Sequence, residues 1–277
     1  MSTKTNINKL GYKSMNKLLD FFKQYWKTLL FFAIVGVLGG YAVGLYLLDS
    51  YPAEIQQQLI EELNSAGLGG LPVNIVLGAI TAFTSLQYGV IFGAFGIFLG
   101  KKVGLWKDER IITKKPLLVA ILIAVVCGLL LILPDLLFFN DRFQSIADSY
   151  KTKPNFIFLL ACVAYGGVIE EVLLRLFMMS LITLILNRLF NKKAKLPTTV
   201  ILVVSNIVAA LLFAAGHLPA TFMMLGSDPL IILRCFLLNG GVGLLFGLLY
   251  RKYGLRYAMI AHAGTHIVSK LIWILFI

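Results

Sequence analysis

Seven long runs of apolar residues follow one another along the chain, separated by short polar connections. The runs cover roughly residues 28–48, 71–99, 116–134, 155–187, 198–217, 230–250 and 257–277. Because about 20 apolar residues let a helix cross the hydrocarbon core of a bilayer, each run predicts a transmembrane helix. The fourth run is longer than that, which requires a tilted, protruding or broken helix. The pattern predicts an all-α fold, a polytopic transmembrane helical bundle of about seven spans.

The composition excludes several other classes of protein. The chain has 277 residues, of which 59% are hydrophobic and 14% are charged, whereas soluble domains carry about 25% charged residues. Its three cysteines, Cys127, Cys162 and Cys235, lie inside predicted spans and lack the spacing of a redox or metal motif. A soluble globule, a disordered chain and a disulfide scaffold are therefore excluded.

The net charge of +12 is distributed unevenly between the predicted connections. Segments 1–27, 100–115, 188–195 and 251–256 hold nineteen basic residues, whereas 49–70, 135–154 and 218–229 hold three. Because cytoplasmic loops are enriched in Lys and Arg, this alternation predicts a cytoplasmic N-terminus and an external C-terminus. We read the charge as a topology signal of an integral protein of a bacterial plasma membrane. Its partners are then membrane lipids, with no role for nucleic acid.

The part of the chain before the fourth run carries architecture and no catalytic motif. Residues 1–27 mix lysines with large apolar side chains, which predicts a basic amphipathic segment at the cytoplasmic interface. Gly36, Gly40 and Gly44 recur every fourth residue in the first span, a spacing that lets a neighbouring helix approach closely. Residues 28–150 are therefore interpreted as an N-terminal unit of spans one to three.

Ionisable side chains within spans mark the candidate chemistry, because each costs about 2.5–3.5 kcal/mol to insert. Span four holds Glu170, Glu171 and Arg175. The spacing of Glu171 and Arg175 predicts a pair on one helix face, while Glu170 points about 100° away and stays uncommitted. The three histidines of the chain, His217, His262 and His266, lie in or at the ends of spans five and seven.

One carboxylate and three imidazoles that converge in a membrane can perform hydrolysis. A buried carboxylate can act as a general base on water, and imidazoles can orient that water or donate to an oxyanion. Alternatively, a zinc ion held by Glu170, His217, His262 and His266 can activate the water. No Glu lies between His262 and His266, so the HExxH motif of the zincins is absent.

Three motifs in this order resemble the CPBP family, which contains CAAX prenyl endopeptidases and bacteriocin-processing or Abi-like intramembrane proteases. They are Glu170-Glu171 followed by Arg175, Phe213 followed by His217, and His262 four residues before a polar residue. A glycine-containing lead-in over 243–254 also looks like the family. The resemblance covers roughly residues 155–270 and makes 151–277 the predicted catalytic unit, spans four to seven.

The resemblance implies a role for each motif residue in span four and span five. Glu170 would be the base that activates water, with His217 as its partner. Glu171 and Arg175 would form a supporting pair. The implied activity is that of an intramembrane endopeptidase, often described as a metalloprotease, which cleaves a CAAX-type or leader- or pheromone-like peptide or a lipidated protein.

In span seven the resemblance implies that His262 and His266 hold the oxyanion. The chain departs from the family pattern at two positions. The family usually has Asn or Asp where this chain has His266, and it often has Gly where this chain has Leu176. The first departure concerns the oxyanion, and a histidine there could also bind a metal. The second concerns helix packing.

Two other functions use the same residues. A proton-coupled transporter would employ the buried groups as a relay, but the chain shows no inverted repeat of the kind that transporters contain. A catalytically silent member of the family would act as a membrane partner or an immunity protein. It would tolerate replacement of Glu170.

Overall fold

A computed structural model describes residues 2–108, 111–192 and 194–277, with the backbone alone for residues 2–15 and 49. Within these ranges, seven helices are long and apolar enough to cross a membrane, and no strand occurs. The predicted all-α bundle is thereby confirmed, and the chain is an integral membrane protein. The helices are α1 Ser2–Ser50, α2 Ala53–Ser65, α3 Val73–Lys102, α4 Lys114–Phe139, α5 Gln144–Ser149, α6 Phe156–Phe190, α7 Thr199–Gly216, α8 Leu218–Leu225, α9 Pro229–Tyr253 and α10 Leu255–Phe276.

The first span and the segment before it form one helix. Helix α1 continues from Ser2 to Ser50 without a break, so the predicted interfacial segment 1–27 and span one share one axis. The side chains of residues 1–15, on which part of that prediction depends, lie outside the described residues. From residue 16 onward the membrane-crossing part is Asn16–Leu48.

Glycines bring α1 into close contact with α3. The Thr81 hydroxyl of α3 donates to the Gly40 carbonyl over 2.6 Å, which joins the two helices at their closest approach. A Cβ at Gly40 would lie 2.5 Å from the Thr81 carbonyl oxygen, and one at Gly36 would lie 2.7 Å from that of Ser85. These contacts involve backbone atoms that cannot rotate away, so the predicted small-residue packing has a steric reason.

We expect Gly40→Ala to lower the unfolding free energy by about 1–3 kcal/mol, the usual cost of overpacking a close contact. The measurement is thermal or denaturant unfolding of the purified protein in detergent. Gly70→Ala is the matched control, because a Cβ at Gly70 meets nothing within 4 Å. Equal stability of the two variants would contradict the tight α1–α3 contact.

A buried ion pair fixes α4 to α9 at the end of the bundle where α1 ends. Arg234 donates to both carboxylate oxygens of Asp135, whose side chain is fully buried. The Tyr150 hydroxyl donates to the same carboxylate over 2.8 Å. Burial raises the pKa of the Tyr150 phenol, and the nearby Asp135 charge adds to the effect, so the phenol remains a donor.

Helix α6 lies at the centre of the bundle, against α1, α3, α7 and α10. It is a single continuous helix over Phe156–Phe190, so the long fourth run is not broken into two spans. The helix is π-helical over Ala161–Glu170 and Val172–Met179, the stretches on either side of Glu171. Such turns are rare and are found frequently at functional sites.

Candidate active site

One cavity inside the bundle collects the carboxylate and the imidazoles that the sequence singled out. It has a volume of about 280 Å³ and is lined by α1, α4, α6, α7, α9 and α10 together with the turn at His217. Four predicted site residues line it, namely Glu170, His217, His262 and His266. Because one water molecule takes about 30 Å³ of liquid volume, the cavity has room for several.

Glu170 is the carboxylate that the cavity can reach. Its side chain is 19% exposed, whereas that of Glu171 is completely buried, which separates the adjacent acids by accessibility. Glu170 Oε2 lies 3.9 Å from His262 Nε2, too far for a hydrogen bond. This carboxylate therefore retains free lone pairs that face the cavity, as a base acting on water requires.

Glu171 points away from the cavity and connects two helices. Its Oε1 lies 2.9 Å from His262 Nδ1 on α10, and its Oε2 lies 3.5 Å from Arg175 Nε one turn further along α6. Because a carboxylate accepts, the His262 Nδ1 carries the proton and the ring orientation is fixed. The Glu171–Arg175 pair is thus present, and the Glu171–His262 contact is an addition that sequence reasoning missed.

Arg175 is buried beneath the site, with 1% of its side chain exposed. The guanidinium donates to the Gly243 carbonyl of α9 over 3.1 Å and lies 4.7 Å from the centre of the Phe213 ring. A guanidinium over an aromatic face is attracted by the ring quadrupole. Arg175 therefore connects α6, α7 and α9.

His217 lies at the turn between α7 and α8. Its Nδ1 is 2.8 Å from the Phe213 carbonyl, which can only accept, so the proton is on Nδ1 and the lone pair is on Nε2. Among the described residues no hydrogen bond joins His217 to Glu170, although both line the cavity. A water between them could donate to both.

Two glycines make room for His266 and Leu176, the two residues at which the chain departs from the family pattern. A Cβ at Gly166 would lie 2.9 Å from His266 Nε2, so only a residue without a side chain leaves room for this imidazole. A Cβ at Gly96 on α3 would lie 2.6 Å from Cγ of Leu176, which is completely buried. The larger residues at 176 and 266 therefore pack against glycines of neighbouring segments.

The aromatic surroundings hold the imidazoles of α10 in a stack. The His262 ring lies between Phe246, at a centroid distance of 4.5 Å, and His266, at 5.0 Å. Asn239 and Tyr165 also line the cavity and were not among the predicted site residues. Asn239 could have been noticed as a polar residue in an apolar span, but such residues are equally typical of helix packing.

The geometry does not support the predicted metal alternative. Across the described residues, no group of three His, Cys, Asp or Glu side chains is arranged to hold a metal ion. The description as a metalloprotease is therefore not supported, and we derive no step through a metal.

A comparison with protein families matches the part of the chain that supplies most of the residues lining this cavity. The family model described as type II CAAX prenyl endopeptidase Rce1-like matches residues 152–268. These residues include all six predicted site residues. The comparisons with curated proteins and with solved structures found no match.

Proposed function

We propose that this chain, whose residues 152–268 match the Rce1-like family model of type II CAAX prenyl endopeptidases, hydrolyses a peptide bond within the membrane. One observation carries the proposal: an accessible carboxylate, Glu170, shares a cavity of about 280 Å³ with three imidazoles from α10 and the end of α7. The proposed substrate is a CAAX-type or leader- or pheromone-like peptide, free or as the end of a lipidated protein.

In the proposed first step, Glu170 takes a proton from a water molecule while the water oxygen attacks the scissile carbonyl carbon. A bond forms between that oxygen and the carbon, and the carbonyl electron pair moves onto the carbonyl oxygen. His217 orients the water through its Nε2 lone pair. The geometry that supports this role is the Nδ1 contact with the Phe213 carbonyl.

In the proposed mechanism the imidazoles of α10 stabilise the oxyanion. Donation from His262 Nε2 to the oxyanion would require a second proton on the ring, whose Nδ1 is held by the Glu171 carboxylate. His266, stacked on it, would supply a second donor. Preorganised donors of this kind are often the largest contribution to acyl transfer. In the second step the carbon–nitrogen bond breaks, and Glu170 returns its proton to the leaving amine.

We further propose an N-terminus in the cytoplasm of a bacterium, with the plasma membrane as the location. The distribution of basic residues supports this orientation. The proposal includes three parts of the chain: a segment 1–27, spans one to three over 28–150, and a catalytic unit over 151–277. Residues of α1 line the catalytic cavity, so the unit 28–150 contributes a wall to the site.

The direct test is cleavage of a farnesylated peptide with a CAAX-type C-terminus by the purified protein in proteoliposomes, with the broken bond located by mass spectrometry. We expect His217→Asn to lower the rate by about 10²–10³, because general acid–base partners contribute 10²–10⁴. Asn206→Ala on α7 is the matched control, since that side chain bonds to the Leu244 carbonyl and lies outside the cavity. A rate within about twofold of wild type for His217→Asn would remove this residue from the mechanism.

A further inference from the structure

A second cavity, with a volume of about 760 Å³, lies on another side of α10 from the catalytic one. It is enclosed by α1, the connection between α3 and α4, the first half of α10 and one residue of α6. The proposed peptidase mechanism makes no use of it. Its volume falls within the range of small-molecule and cofactor sites, about 300–1,000 Å³.

The two long walls of the cavity, formed by α1 and α10, each carry a basic side chain at one end and apolar side chains further along the helix. On α1, Lys27 precedes Phe31 by one turn, and both line the cavity. On α10, Arg256 in the first turn is followed by Ile260 and Ala263. As the first and seventh spans, α1 and α10 cross in the same direction, so the cations share one end. That is the end the charge distribution predicts to be cytoplasmic.

At this end of the cavity, basic side chains lack acidic partners among the described residues. The Asp108 carboxylate accepts from the Trp106 indole over 2.8 Å and from the Tyr25 hydroxyl over 3.2 Å. Lys27 and Arg256 are exposed, and no carboxylate of a described residue forms an ion pair with either. Among the residues that the structure describes, these two cations at the mouth are therefore not paired with a carboxylate, although Asp108 lines the same cavity.

We propose that this cavity binds an anionic phospholipid from the cytoplasmic leaflet. Its phosphate lies at Lys27 and Arg256, and an acyl chain extends along Phe31, Ile260 and Ala263. Basic pockets between transmembrane helices on the cytoplasmic side are typical sites for such headgroups. The order of cations and apolar side chains matches the order of head and tail in a lipid. A peptide fits less well, because its backbone would meet apolar side chains at the deep end.

The lipid would support the catalytic helices from behind. Ala263 lines the deep end of the cavity and packs on Gly167 of α6, where a Cβ would lie 2.7 Å from the Cβ of Ala263. This contact lies one turn or less from Glu170 and from His262 in sequence. An acyl chain along α1 and α10 would fill the space on the outer side of the α6–α10 contact.

The test measures thermal unfolding of the full chain in detergent with added phosphatidylglycerol, and native mass spectrometry counts the lipids that stay bound. Phosphatidylcholine with the same acyl chains has no net charge and tests whether the anionic headgroup is needed. Glycerol phosphate has no acyl chains and tests whether those chains are needed. We expect phosphatidylglycerol to raise the unfolding temperature of the wild type by several degrees. We expect Lys27→Gln/Arg256→Gln to need at least about tenfold more of it for half of the effect, because each basic residue strengthens binding to anionic lipid.

The matched control is Lys192→Gln/Lys195→Gln, which removes the same charge from exposed positions outside the cavity. It should respond to phosphatidylglycerol as the wild type does. Three results would overturn the proposal: an equal effect of phosphatidylcholine, an unchanged response of the Lys27/Arg256 variant, or full reproduction of the effect by glycerol phosphate. None of these measurements uses peptidase activity, so they are independent of the proposed function.

Discussion

Replacement of Glu170 by glutamine is expected to lower peptide cleavage at least about 10³-fold. The amide keeps the size of the side chain but cannot accept the proton of the attacking water. General bases contribute up to about 10⁴-fold in rate. The neighbouring carboxylate, Glu171, does not line the cavity and is committed to His262 and Arg175. Because Glu170 makes no ion pair closer than 3.9 Å, the variant should insert and unfold as the wild type does. The rate is measured in proteoliposomes with the farnesylated CAAX-type peptide.

The control for this variant is Glu54→Gln, which makes the same chemical change on the exposed helix α2. It should cleave at the wild-type rate. Cleavage by Glu170→Gln within about twofold of the wild type would refute the role of this carboxylate. A wild type that cleaves neither the CAAX-type peptide nor leader peptides, and a biological phenotype that survives Glu170→Gln, would instead favour a catalytically silent membrane partner.

The spans and the Glu171–Arg175 pair could be predicted because they depend on local regularities. Apolar length determines which segments cross a bilayer, and the spacing of four residues places two side chains on one helix face. Both features hold even though α6 is π-helical around them. The CPBP-like motifs gave the identity of the candidate site for the same reason, since each motif is contained within one helix or turn.

The contacts between helices could not be predicted, because they depend on tilt and depth. For straight upright helices the sequence places His217 about 33 Å beyond Lys195, and His262 only about 9 Å beyond Arg256. In the structure Phe213 contacts both rings, at centroid distances of 4.7 Å for His217 and 5.8 Å for His262. The Glu171–His262 bond and the fit of His266 against Gly166 are likewise tertiary features with no signal in one sequence.

Arg175→Met is expected to give the largest loss of stability in the bundle. The guanidinium is the arginine partner of the fully buried Glu171, whose other oxygen accepts from His262 Nδ1, and it also binds the Gly243 carbonyl. Its removal leaves the buried carboxylate with the His262 hydrogen bond as its remaining described polar contact. Breaking such a buried pair from one side costs about 3–5 kcal/mol. Unfolding of the purified protein in detergent measures this loss, and Arg188→Met, at an exposed position on the same helix, is the matched control.

A double variant separates the charge from the packing. In Glu171→Gln/Arg175→Met both charges are removed, and the glutamine oxygen can still accept from His262 Nδ1. Because the penalty of the single variant comes mainly from the unpaired charge, the double variant should recover most of the lost stability. If the double variant is as unstable as Arg175→Met, the guanidinium acts through its contacts with Gly243 and Phe213 instead. If Arg175→Met is as stable as Arg188→Met, the ion pair does not hold α6 in place.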